Sequence, residues 1–443
     1  MTTPDQPPAG LNTRCIHAGE ALDPSTGAFG VPLYANTTYG FHSYEQVEAW
    51  EAGAPHFHYA RDGSPTVRCF ELKMADLEGA EAAIGTATGM AAISGTLLHL
   101  VPAGKHLVAS EHIYPITRRL LGEELARWGA TVSFVDGTDP AAVAAAIRPE
   151  TGAIYVEACS NPGLRVPDLD ALGEVARARG VPLVVDATFL SPALLRPLDH
   201  GAALVLHSAT KYLSGHGNVV AGIVCGQKDM IAGIAASLSR LGGTMSPFAA
   251  WVLLAGIKTL PLRIAQHTTN ALALARLLEA HPAVAHVSYP GLDCHPDHAV
   301  AARLLGSRGS GGMVTFGLTG GKPALRVFLN TLRLPTIAVS LGDVGSLIWP
   351  FSGSDLIRFS VGTEDLADLT ADLTRALDAA MAVGERIGRM ITHVRDTAKN
   401  QSRDGEPRWC HLGERPRGQE IGIWGSRRGV AERDTTMPPS REA

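Results

Sequence analysis

Residues 204–222 read LVLHSATKYLSGHGNVVAG, and the fold can be worked out from this stretch. It opens as a short apolar run, passes into Ser208, Thr210 and Lys211, and continues through Gly215, Gly217 and Gly222. A short apolar run bounded by turn residues is the pattern of a strand buried on both faces. A lysine just after such a strand, among small and hydroxyl residues, can condense with an aldehyde cofactor, although a lysine taken alone reads first as a solvated surface residue. Ser208 and Thr210 supply hydroxyls of the kind a phosphate site uses. The glycines let the backbone turn tightly and come close to a ligand.

Upstream, similar runs occur at 106–110, 131–135, 153–157, 182–186 and 203–207. Amphipathic stretches at 117–128, 140–147 and 169–179 separate them. Short apolar runs alternating with helices predict a mainly parallel sheet covered on both faces. Asp186 ends the run PLVVD, at the carboxyl end of a predicted central strand, where open α/β sheets bind ligands. A carboxylate there can keep a pyridinium nitrogen protonated, or simply begin a turn. The segment TATGMAAISG, 86–95, opens a helix at Gly89 and Met90. Its first N–H groups suit a phosphate, and the alternative is a plain N-cap. Residues 82–104 carry no charge, but glycines and Pro102 interrupt them, so they read as a buried helix with a polar start and not as a membrane span.

Downstream, 258–282, around LPLRIAQHTTNALALARLLEA, is a long helical pattern. Strands and helices then alternate again at 285–289, 296–305, 312–318, 322–330, 356–361 and 366–381, predicting a second, smaller α/β domain. The expected divisions are an extended arm over 1–60, a large domain over 61–257 and a small domain over 258–388. From 389 to 443 few apolar residues remain among many charges, which reads as a disordered tail.

The whole chain, 443 residues with 45% hydrophobic and 18% charged, is ordinary for a folded protein. A net charge of −5 with no basic stripe argues against nucleic acid as a main partner. The six cysteines are scattered with no CxxC pair, which predicts free thiols in a reducing compartment and no metal site. The first residues, MTTPDQPPAG, lack the basic and apolar regions of a signal peptide, so the cytoplasm is the expected location.

Several single residues could carry chemistry. Tyr114 could stack on a cofactor ring or be a rim aromatic. Asn161, in EACSNPG, is a site or a turn residue. Tyr59 and Arg61, in HFHYARDGSPT, could clamp a phosphate or form a solvated loop pair. Arg358, in LIRFSVG, could pair with an acid or grip a substrate carboxylate as a bidentate fork.

The order and wording of these segments resemble one family, the Cys/Met-metabolism group of pyridoxal phosphate (PLP) enzymes, which includes cystathionine γ-synthase, cystathionine γ-lyase, methionine γ-lyase and the O-acylhomoserine sulfhydrylases. The likeness runs from about residue 13 to 380, through TRCIHAGEALDPSTGAFGVPLY, YARDGSPTVRCFE, ATGMAA, VEACSNP, VVDATF, HSATKYLSGHGNVVAG, SYPGLDCHPDH, AVSLGDVGSLIWP and IRFSVGTEDLADL. The resemblance implies the PLP-dependent transferase fold type I and a homotetramer with active sites shared across dimer interfaces. It implies that Lys211 carries the cofactor as a Schiff base and that Asp186 faces the pyridine nitrogen. Tyr114 would stack on the ring and serve as acid or base at the leaving group, with Asn161 near the ring oxygen. Gly89, Met90, Ser208 and Thr210 would hold the phosphate, joined by Tyr59 and Arg61 of a neighbouring subunit. Arg358, with Ser340, would bind the substrate α-carboxylate, and Val339 would flank it.

The sequence also departs from the family's pattern. Ala187 replaces the usual Asn after the ring aspartate. Pro115 and Ile116 stand where glycines usually follow the stacking tyrosine, and no cysteine stands there as in methionine γ-lyases. Val339, His58 and Gly345 occupy slots where an acid is common. Fewer acids favour an apolar γ-substituent, and hence γ-elimination from a sulfur or other γ-substituted amino acid. The alternatives are γ-replacement on an O-acylhomoserine and a non-catalytic cofactor-binding homologue.

Overall fold

Runs rich in Val, Leu, Ile and Ala gain most when both faces are covered, and here they fill the middle of a sheet. The computed structural model describes residues 9–351 and 354–401. Seven strands, β1 (Ala82–Thr86), β2 (His106–Ser110), β3 (Thr131–Val135), β4 (Thr151–Glu157), β5 (Leu183–Asp186), β6 (Leu204–His207) and β7 (Gly222–Gly226), form one sheet. Their order is β1-β7-β6-β5-β4-β2-β3. β7 is antiparallel to both neighbours, and the remaining pairs are parallel. The fold is thus the mixed, mostly parallel sheet with helices expected of fold type I. The carboxyl ends of β4, β5 and β6 lie side by side, with Glu157 opposite Asp186 and Asp186 opposite Leu206.

Two strands of this sheet escape the sequence reading. Residues 82–86 are β1, not the start of a helix: the helix begins at Gly89 (Gly89–Leu100), where the Thr88 side chain accepts a hydrogen bond from the Ala91 N–H. β7 lies directly behind the glycine-rich loop. Gly222 cannot take a side chain, because a Cβ there would lie 2.4 Å from the Thr88 carbonyl oxygen. Gly215 has φ +72° and packs against Arg263. These glycines therefore serve close packing within the chain.

The long helix Leu260–Ala280 leads to a second sheet. Its strands are β8 (Val284–Ser288), β9 (Met313–Leu318), β10 (Thr336–Ile337), β11 (Leu347–Pro350) and β12 (Ile357–Ser360), in the order β10-β11-β12-β9-β8. β10 and β11 are parallel and the other pairs antiparallel. Both sheets belong to one compact unit ending at Arg389.

The predicted extended arm contains two short helices, Leu11–His17 and Tyr44–Glu51. The helix Leu366–Gln401 runs through 389, the expected start of the tail, which is also where the compact unit ends. The rest of the expected tail lies outside the described residues. Among those residues no single helix is long and apolar enough to cross a membrane. The bent pair Pro247–Ile257 and Leu260–Ala280 passes on length and composition alone, and it buries Leu253, Ile257, Leu260 and Ile264 in the core.

Candidate active site

The strand ends open into a cavity of about 490 Å³. Its lining brings together Gly89, Met90, Tyr114, Asn161, Asp186, Ser208, Thr210, Lys211, Val339, Ser340 and Arg358. Tyr59 and Arg61 do not line it. They lie exposed on the arm, with the Arg61 guanidinium 5.0 Å from the Tyr59 ring centre.

Lys211 follows β6 in a tight turn, its N–H donating to the Ser208 carbonyl at 3.1 Å. Its Nζ donates to Ser340 Oγ at 2.7 Å. Burial, helped by the nearby Arg358 charge, lowers the amine to about 8. A lysine near that value supplies neutral, nucleophilic amine close to physiological pH. Ser340 has φ +84°, a left-handed conformation that non-glycine residues avoid. In that conformation its hydroxyl accepts from Lys211 while its carbonyl accepts from Arg358 Nη2 at 3.0 Å. Arg358 is buried and also donates through Nη1 to Asn161 Oδ1 at 3.0 Å.

Asp186 is held by Thr188, whose N–H donates to Oδ1 at 2.9 Å and whose hydroxyl donates to the same oxygen. The Thr188 hydroxyl in turn accepts from the Ser208 N–H at 2.8 Å, which ties β5 to the Lys211 turn. Burial raises the Asp186 carboxyl, and the bonds from Thr188 oppose this. The start of helix Gly89–Leu100 meets Ser208 so closely that a Cβ on Gly89 would lie 2.7 Å from Ser208 Cβ. First-turn N–H groups have no partner within their own helix, so this junction is a ready anion cradle. The Thr210 hydroxyl already exchanges hydrogen bonds with the Ala221 backbone.

Glu157 is a buried member of the site that sequence reading missed. One of its oxygens accepts from the Tyr114 N–H at 2.7 Å and the other from the Asn161 N–H at 2.9 Å. It thereby anchors two loops that line the cavity. Burial, and next the Asp186 charge beside it, push its carboxyl well up. The available signal was the one that drew attention to Asp186: an acid ending an apolar run in a parallel sheet. Trp349 and Phe351, which also line the cavity, lie on or just after β11, a strand that was not anticipated.

The sequence profile of the Cys/Met metabolism PLP-dependent enzymes matches residues 12–378. The chain belongs to that family. An L-methionine gamma-lyase of Treponema denticola is 37% identical over 391 residues, covering 83% of this chain and 97% of the relative. A cystathionine gamma-synthase of Mycobacterium tuberculosis is 40% identical over 384 residues, covering 83% and 97%. The solved cystathionine gamma synthase of Xanthomonas oryzae, in complex with aminoacrylate and cysteine, superposes with a TM-score of 0.81 at 37% identity, covering 85% of this chain and all of that one. As a member of the family, the protein is an enzyme that uses pyridoxal phosphate. The residues present fit that cofactor: a depressed amine for the aldehyde, a half-buried carboxylate at the end of β5 for the ring nitrogen, and the Gly89–Ser208 junction for the phosphate.

Proposed function

We propose that the enzyme eliminates the γ-substituent of an L-amino acid, releasing a 2-oxo acid and ammonia. Bound pyridoxal phosphate supplies the electron sink that stabilises negative charge at Cα. Lys211 would hold the aldehyde, Asp186 would keep the ring nitrogen protonated, and Tyr114 would cover the ring, with Asn161 beside it. Gly89, Met90, Ser208 and Thr210 would hold the phosphate. Tyr59 and Arg61 would complete that site from a neighbouring copy in a homotetramer, a reading supported by their exposure on the arm and their absence from their own cavity. Arg358, held by Asn161 and Ser340, would fix the α-carboxylate. Freed Lys211 would take the Cα proton at Nζ, and the Tyr114 hydroxyl would exchange a proton at the leaving group. Free Cys15, Cys69, Cys159, Cys225 and Cys294 suit the cytoplasm.

One observation carries the choice of substrate. Among the described residues of the chain itself, the charged residues lining the cavity are Lys211, Asp186, Glu157 and Arg358. Lys211, Asp186 and Arg358 have tasks at the α-carbon or the cofactor and Glu157 holds the Tyr114 and Asn161 N–H groups, so none of the four is free to grip a distal ammonium. An uncharged γ-substituent, as in methionine, fits that lining. The second reading is γ-replacement with a thiol, supported by the likeness to the cystathionine gamma-synthases. The test is a panel of methionine, homocysteine, cystathionine and O-acylhomoserines, with and without cysteine or sulfide. Keto acid and ammonia released from a γ-substituted amino acid without added thiol support elimination. A thioether product formed only with added thiol, without keto acid, overturns it.

A further inference from the structure

Arg358 is held on a wall that the proposed chemistry leaves unused. It lies in the middle of the second sheet, with Thr315 opposite it on β9 and Trp349 on β11. Directly opposed residues in an antiparallel pair point their side chains to the same face. Trp349 therefore stands beside Arg358, facing the cavity that both line. Phe351 comes two residues later, and its N–H donates to the Leu356 carbonyl at 2.9 Å, which continues the hairpin. Its ring lies 5.6 Å from the Arg358 guanidinium carbon and also lines the cavity. The period-two spacing puts both aromatics on the Arg358 side of the sheet.

Resting on the elimination reading above, we infer that Trp349 and Phe351 are specificity-determining residues that select a bulky apolar group, aryl-sized or branched alkyl, on the γ atom of the substrate. An amino acid whose carboxylate sits on Arg358 has its γ atom only a few bonds away, so the substituent is confined to the walls around that arginine. Val339 and Ile116 extend those walls with further apolar surface. Flat aromatic faces favour a ring or branched alkyl over a lone methyl, because contact area and ring geometry both contribute. A distal ammonium or carboxylate would lose its hydration against this wall without finding a partner. Phe351 has a second role: its face covers the Arg358 guanidinium, which keeps that cation dry and fixed.

The experiment compares L-methionine, S-benzyl-L-homocysteine and L-cystathionine on the cofactor-loaded enzyme and on W349A, F351A and the conservative W349F and F351L. Cofactor loading, read from visible absorbance, is checked first in every variant. The wild type is expected to rank S-benzyl-homocysteine above methionine and cystathionine last in kcat/KM. W349A and F351A should lose about tenfold to a hundredfold on the benzyl substrate, mainly through KM, with the conservative variants close to wild type. The loss on methionine should be smaller. A wild-type preference for cystathionine, or an equal loss on all three substrates, overturns the inference. If no substrate yields keto acid, the elimination reading fails separately. The wall is then judged by equilibrium binding of the same three amino acids, followed by quenching of tryptophan emission in wild type against W349F. Tighter binding of the benzyl compound, with the Trp349 signal responding, upholds the wall, and equal affinity for all three sinks it.

Discussion

At the floor of the cavity each charged side chain has a fixed partner. Lys211 rests on Ser340, Arg358 on Asn161 and Ser340, Asp186 on Thr188, and Glu157 on two backbone N–H groups. The rim is built from Ile116, Val220 and Val339, which touch solvent and carry no charge. The floor is preorganised, so its dipoles need little rearrangement when charge moves. The rim can vary in side chain without disturbing those bonds. Chemistry shared by a family should therefore reside in the floor, and the choice of substrate at the rim and the aromatic wall.

The largest effect that could break this contrast is the loss of the floor's amine. Lys211→Ala should lower kcat by about 10²–10⁴-fold or more, because one group provides both the covalent attachment and the proton transfer. Borohydride reduction followed by peptide mapping should place the cofactor on Lys211 in the wild type. A cofactor found on another lysine would sink the assignment of the floor. The lowered amine also sets a pH dependence. The neutral form is the one that condenses, and a pKa of about 8 makes that form dominant above pH 8. Loading of the apo-protein should thus accelerate as pH rises through about 8; a rise only near the ordinary lysine value of about 10.4 would contradict the burial argument.

A smaller effect is expected at Glu157. Glu157→Gln keeps one acceptor oxygen but turns an amide N–H₂ towards the other backbone donor. Leaving a buried donor unpaired costs roughly 1–3 kcal/mol, which corresponds to about fivefold to 150-fold. The loss should appear in kcat, with loading on Lys211 retained, since Glu157 holds Tyr114 and Asn161 and does not touch Lys211. The wild-type carboxyl is raised by burial and by Asp186, so ionising it at high pH adds a second anion beside Asp186. The alkaline limb of the kcat profile should flatten in Glu157→Gln. A profile identical to wild type would reduce Glu157 to a passive loop tie.

The same contrast explains what could be read from the sequence. The floor stands on β2 to β6, whose runs of Val, Leu, Ile and Ala announce buried parallel strands, and Lys211 and Asp186 follow directly from where those runs stop. β1 was missed because AAIGT has small residues and no alternation, and β7 because its GIVCG follows loop glycines. β11 has only four residues and ends in Pro350, so neither length nor period marks it. Trp349 and Phe351 went unread along with it. The left-handed backbone of Ser340 leaves no trace in residue type, since it is imposed by bonds to Lys211 and Arg358 that are distant in sequence.

The smallest expected effect is at the rim itself. Val339 is 61% exposed and lines the cavity, in a slot where the family often carries an acid. Val339→Glu should raise kcat/KM for cystathionine relative to methionine, because the new anion attracts a distal ammonium and gives the methionine side chain nothing. An exposed pair is worth about 0.2–1 kcal/mol, so the ratio should rise by at most about fivefold. The gain should shrink as salt is added, since a charge at an exposed position is screened within about 10 Å at 0.1 M ionic strength. A ratio that stays flat at low salt would mean that the substrate's far end never reaches Val339, which would leave selection to Trp349 and Phe351 alone.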